Sequence, residues 1–136
     1  MDAKEYLSRA FFLNRQIKSK QKRLDWLKDI APGPSMTFSE EAKGTGNPRS
    51  SAVENAAIKV VALEEEISAD ILCLVDVIKE IDAAIKRVDS IECRTILEMR
   101  YLSFMEWDEI AARMGYTLRH TFYLHKNALR TLNSIL

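Results

Sequence analysis

Val53, Val60, Ile67, Leu74, Ile81 and Val88 recur at every seventh position without a miss. A seven-residue apolar period is the seam of helices packed along their length, so this stretch reads as one long helix that needs a helical partner. Its companion positions shift partway: Ala56 and Leu63 follow the seam by three residues, whereas Ile71, Ile78 and Ile85 follow it by four. That shift predicts a buried face that widens and rotates. A helix from Ala52 to Val88 would be on the order of 55 Å long at ~1.5 Å per residue, more than a small C-terminal domain can cover.

The partner is sought upstream. Tyr6, Leu7, Ala10, Leu13, Ile17, Leu24 and Leu27, with Trp26 beside them, mark the apolar side of a first helix from about Asp2 to Ile30. The basic run Lys18-Ser-Lys-Gln-Lys-Arg23 interrupts that stripe. Pro32, Gly33 and Pro34 stop the helix, and residues 31–51 read as a long mobile connector. Gly44-Thr-Gly46 lacks a preceding strand and a following Gly-Lys-Ser/Thr, so it reads as linker rather than a phosphate loop. Residues 1–31 hold eight basic and four acidic side chains, and residues 51–90 hold four and nine. Opposite charge favours folding the two helices into one antiparallel hairpin over pairing the acidic helix with its own copy. The widened face at Ile71, Ile78 and Ile85 leaves room for a weak homodimer.

A chain of 136 residues is one domain, or a small domain with an extended arm. Lys plus Arg and Asp plus Glu both number 20, so nucleic acid is not held by bulk charge and any such affinity is focused on a local basic face. The longest wholly apolar run is the five residues Ile71–Val75, and the N-terminus has no apolar core of signal-peptide type. The expectation is a cytoplasmic protein of a bacterial host, with no membrane association. Cys73 and Cys93 are isolated and read as reduced packing residues. His120 and His125 lie five apart on different helix faces, which argues against a metal pair. No nucleophile, base or cofactor motif is apparent, and neither an enzyme nor a cofactor is expected.

Residues 107–132 carry the functional signal. Ile110, Ala111 and Met114 give a short helix a buried side, Gly115 supplies the left-handed residue that ends it, and Thr117 is placed to cap a second helix. That helix repeats Thr121, Leu124, Ala128, Leu129 and Leu132 inward and shows Arg119, His120, Phe122, Tyr123, Lys126 and Arg130 outward. From Thr117 to Leu136 there is no carboxylate side chain, whereas Glu106, Asp108 and Glu109 crowd the start of the preceding helix. This is a helix-turn-helix signature with the charge polarity of a DNA-reading helix. Asp89-Ser90 supplies a break and cap for a supporting helix from Ile91 to Tyr101.

Ile96-Leu-Glu-Met-Arg-Tyr-Leu102, then Trp107-Asp-Glu-Ile-Ala111 and Ala128-Leu-Arg-Thr-Leu132, resemble the fourth conserved region of bacterial sigma factors. The resemblance implies that Arg100 contacts the DNA backbone and that Thr117 caps the reading helix near a phosphate. It also implies that Leu118, Arg119, Phe122 and Tyr123 face bases, and that Asn127 and Arg130 meet a protein partner. The family places charged and amide side chains at most base-facing sites, and here Leu118, Phe122 and Tyr123 stand there. Those three suit thymine methyl groups or a protein surface better than bidentate readout.

Lys4-Glu-Tyr-Leu-Ser-Arg-Ala10, the Gly/Pro/Ser connector and Val60–Ile67 resemble instead small phage proteins of Gram-positive hosts, described as transcriptional regulators of the RinA and ArpU type. The sequence expectation is thus an all-α protein: a hairpin arm over 1–88 and a sigma-like helix-turn-helix domain over 89–136. Its expected role is regulation of phage genes through double-stranded DNA, with contacts from Arg100, Thr117, Leu118, Arg119, His120, Phe122, Tyr123 and Lys126. The alternative is a non-enzymatic adaptor that binds RNA polymerase or a packaging component without reading DNA.

Overall fold

In a computed structural model we describe residues 1–30 and 48–136, with side chains for 1–30 and 52–136. The described residues form an all-α fold of five helices with no strand. They are α1 (Ala3–Ile30), α2 (Pro48–Ile85), α3 (Ile91–Leu97, continued by a π turn over Glu98–Leu102), α4 (Trp107–Met114) and α5 (Leu118–Ile135). No helix among them is long and apolar enough to cross a membrane. Most of the expected connector lies outside the described residues, as does Gly44-Thr-Gly46, but α2 already begins at Pro48. A proline fits the first helical turn because its missing N–H has no partner there anyway.

The chain divides into two compact units, Met1–Asn14 with Cys73–Leu136, and Arg15–Leu72. In the second unit α1 and α2 run antiparallel: Lys20 pairs with Asp70 at 2.6 Å, and Lys28 with Glu64 at 3.9 Å. Ile17, Ala56, Leu63 and Ile67 are buried between them. Lys20 and Asp70 are both largely covered and sit at seam spacing, three residues after Ile17 and Ile67. The basic run that interrupts the α1 stripe therefore supplies a polar layer inside the seam, and such layers fix register more than they add stability. Trp26, expected beside the seam, is exposed.

In the first unit Ala3, Leu7 and Ala10 of α1 share a core with Val77, Ile81, Ala84, Ile85 and Val88, and with Leu97, Tyr101, Ala128 and Leu132. Arg9 bridges to Glu80 at 2.8 Å, and the Ala3 N–H donates to Asn133 Oδ1 at 2.7 Å. The first turns of α1 thus brace the C-terminal helices directly. The buried face of α2 widens here as expected, but it does not shift from one series of companion positions to the other. Val77 and Ala84, three residues after the seam, remain buried, and Ile71 is exposed. Ile78 and Ile85 are taken up by the chain's own core, so the face that they mark offers no spare surface for a second copy.

Candidate nucleic-acid interface

The turn between α4 and α5 is built by two residues. Gly115 adopts φ 73°, ψ 27°, the left-handed conformation that closes α4. Its N–H donates to the Ala112 carbonyl at 3.3 Å, and the Tyr116 N–H to the Ala111 carbonyl at 3.0 Å, the paired bonds of a Schellman cap. Open space surrounds the position a Cβ would take, with nothing within 4 Å. A substitution there therefore pays only for the backbone conformation. Gly115→Ala is expected to cost about 1–2 kcal/mol in a denaturant titration, and Gly115→Asn clearly less; equal costs would show that something other than φ governs the turn.

Thr117 then caps α5, its Oγ1 accepting from the His120 N–H at 3.1 Å, as the sequence predicts. Thr121 is fully buried and donates its hydroxyl to the Thr117 carbonyl at 2.8 Å. The Tyr116 hydroxyl donates to Glu92 Oε2 at 2.6 Å, tying the turn to α3, and that bond to a carboxylate raises the phenol pKa. With Thr121, Ala128 and Leu132 buried, the opposite side of α5 faces solvent.

That side carries Leu118, Arg119, His120, Phe122, Tyr123 and Lys126, all exposed, Tyr123 by 60%. On that face Arg119 and Lys126, seven residues apart, stand in one line, with Leu118 and Phe122 to one side of it and Tyr123 to the other. His120 lies between two rings, edge-on to Tyr116 at 4.7 Å and stacked on Tyr123 at 6.1 Å. Phe122 meets the Trp107 edge at 5.2 Å yet keeps nearly half its surface open. Arg130 is exposed and Asn127 half-buried further along the helix.

Arg100 stands apart from this face, on the π turn at the end of α3. The wider turn places Tyr101 in the core and leaves Arg100 half-buried beside it. The Arg100 guanidinium lies over Trp107 at 4.9 Å and near Phe11 at 5.9 Å, and donates to the Met105 carbonyl at 2.9 Å. These contacts hold the guanidinium in one place. Phe104, with φ 57°, is the non-glycine left-handed residue of the corner before α4, and its packing on the core holds that strained backbone.

Between the start of α1 and this corner lies a cleft of about 380 Å³. Lys4, Phe11, Phe12, Arg100, Trp107 and Phe122 line it, with His125 and Tyr101 also contributing. The sequence pattern does not connect α1 to the site. Nothing in spacing could have joined Lys4 to Phe122, because only tertiary packing sets them side by side. The lining carries Lys4 and Arg100 and no carboxylate, so its field favours an anion.

His125 points into this cleft rather than outward, sharing a 2.7 Å hydrogen bond with the Tyr101 hydroxyl. Burial, joined by the charges of Lys4 and Arg100, pulls the imidazole down to about 4, while burial pushes the Tyr101 phenol up to about 12. The pair is therefore uncharged at neutral pH, and His125 adds no cation to α5. A folded-state pKa below the unfolded value means the unfolded chain takes the proton first. The associated stability is whole above about 6.5 and is lost as pH falls toward 4. The shift sets a ceiling of about 3 kcal/mol, and partial solvent screening brings the expected loss nearer about 1 kcal/mol. His125→Gln, which cannot titrate, should flatten the fall in Tm between these limits relative to wild type; parallel Tm profiles would reject this account.

Fold and site together define an all-α protein whose last two helices, α4 and α5, meet at a capped turn, with an exposed aromatic and basic face on α5. The pattern of the family described as protein of unknown function, DUF1492, matches residues 35–133, and the chain belongs to that family. No curated protein and no solved structure matches it significantly.

Proposed function

We propose that the chain is a sequence-specific DNA-binding regulator of transcription, reading the major groove with α5 and acting on phage genes in the cytoplasm of a bacterial host. The observation that carries this reading is the outward face of α5. Leu118, Arg119, Phe122, Tyr123 and Lys126 are all exposed on a helix that has no carboxylate from its cap to its end. A helix whose exposed side carries two cations in line along its axis and no acid is suited to lie in a groove between phosphate strands. Arg100 and Thr117 would meet phosphates, Arg119 a base edge, and Leu118 and Phe122 thymine methyl groups. Asn127 and Arg130 remain for a protein contact, with RNA polymerase the natural candidate for a regulator.

The apolar character of positions 118, 122 and 123 favours a second reading, an adaptor whose aromatic face meets a protein. Selection of duplexes from a random-sequence library, followed by titration of the winners at roughly 50 and 200 mM salt, separates the two. A DNA reader enriches a consensus and loses affinity steeply with salt. An adaptor enriches nothing, and that result would end the DNA reading.

A further inference from the structure

The seam that packs on α1 uses only one side of α2. On the other side a second series, Glu54, Ile58, Val61, Glu65, Ser68, Leu72, Val75 and Lys79, advances by alternate steps of four and three residues. That is the spacing of a second helix-packing stripe. Its apolar members are open to solvent, Ile58 by 68% and Leu72 by 69% of their surface, with Val61 and Val75 also exposed. Small residues flank it at Ala57, Ala62 and Ala69, which lets another backbone approach closely.

The stripe is self-complementary in one register. A two-fold axis between Glu66 and Ile67 pairs each position of an antiparallel copy with a fitting partner. Ile58 meets the partner's Val75, and Val61 meets the partner's Leu72. Glu65 faces the partner's Ser68 rather than another acid, and Glu54 faces the partner's Lys79 at each end. The general acidity of α2 argues against self-pairing, but the structure removes much of it. Glu64, Glu66 and Asp70 are already bridged by Lys28 and Lys20 of the same chain. Neither Glu54 nor Lys79 has a salt-bridge partner among the described residues.

We propose that two copies of this chain associate through the outer face of α2, antiparallel and centred between Glu66 and Ile67. Such an isologous contact closes on itself as a dimer. Four large apolar side chains per copy make a modest interface, so the dimer dissociates on dilution rather than being obligate. This interface lies on a different face from the one the heptad shift suggests, and it holds whatever the C-terminal helices bind.

Sedimentation velocity of the full chain from roughly 1 to 100 µM should show a monomer–dimer equilibrium. Leu72→Glu and Val61→Glu, both at exposed sites, should weaken it at least about tenfold with helix content and melting unchanged. Lys79→Glu should weaken it less, and adding Glu54→Lys should restore it. For register, chains carrying Cys73→Ser with Val61→Cys are mixed with chains carrying Cys73→Ser and Leu72→Cys. Cross-links should join position 61 to 72 of the other copy far more often than 61 to 61, which lie on the order of 16 Å apart along the axis. A monomer at every concentration, or cross-links dominated by like positions, would overturn the proposal.

Discussion

Ile81→Asp is expected to leave the chain unfolded at room temperature. Ile81 is completely buried at the meeting of α2 with the first turns of α1 and the C-terminal helices. Truncating a buried Ile costs about 2–5 kcal/mol through lost contacts and the cavity left behind. A carboxylate in that space has no cation within the core lining and adds a desolvation penalty of several kcal/mol more. The total, about 5 kcal/mol or above, is comparable to the whole stability of a small domain. Leu74→Asp, on the same seam but half-buried, should cost markedly less because the charge can reach water. Far-UV circular dichroism and a urea titration distinguish the two variants, and equal melting of Ile81→Asp and wild type would refute this placement of the core.

The seam itself was legible because its period is a backbone property. Ile67, Ile81 and Val88 are buried and Val53, Val60 and Leu74 half-buried, as a seven-residue recurrence requires. The turn was legible for the same reason. A glycine followed by a threonine has few uses between two amphipathic segments, and Gly115 and Thr117 perform those two.

What could not be read was which of several equivalent apolar residues faces a partner. Leu72, Val75, Val77 and Ile78 are all apolar and nearly adjacent. Burial of Val77 with Ile78 beside the core, and exposure of Leu72 and Val75, is decided by where Leu7 and Ala10 sit. A like ambiguity hid the cleft: Lys4 and Phe11 belong by sequence to the arm, yet their turns of α1 pack beside Arg100 and Trp107. The basic run at Lys18–Arg23 gave no sign that Lys20 turns inward, since its role depends on Asp70, fifty positions away.

The largest functional effect is expected from Arg119→Ala combined with Lys126→Ala, and the two halves of that effect differ in kind. Both side chains are exposed on α5 and outside the buried set of that helix, so neither change should alter helix content or Tm. Arg119 lies in the first turn of α5, where a reading helix approaches base edges most closely. Its guanidinium is suited to a bidentate contact with guanine, worth about 1–3 kcal/mol of discrimination, or roughly ten- to hundredfold between the selected site and one altered at that base. Arg119→Ala should therefore flatten preference at one position of the consensus. Lys126 lies two turns further on, where a helix crossing the groove reaches the phosphate strand. Lys126→Ala should lower affinity by a similar factor for every sequence and reduce the salt slope by about one. Competition titrations with the selected duplex and single-base variants, at two salt concentrations, read both quantities at once. Undiminished duplex binding by the double variant would place the contact elsewhere and move α5 to the protein-binding role that its aromatic residues also fit.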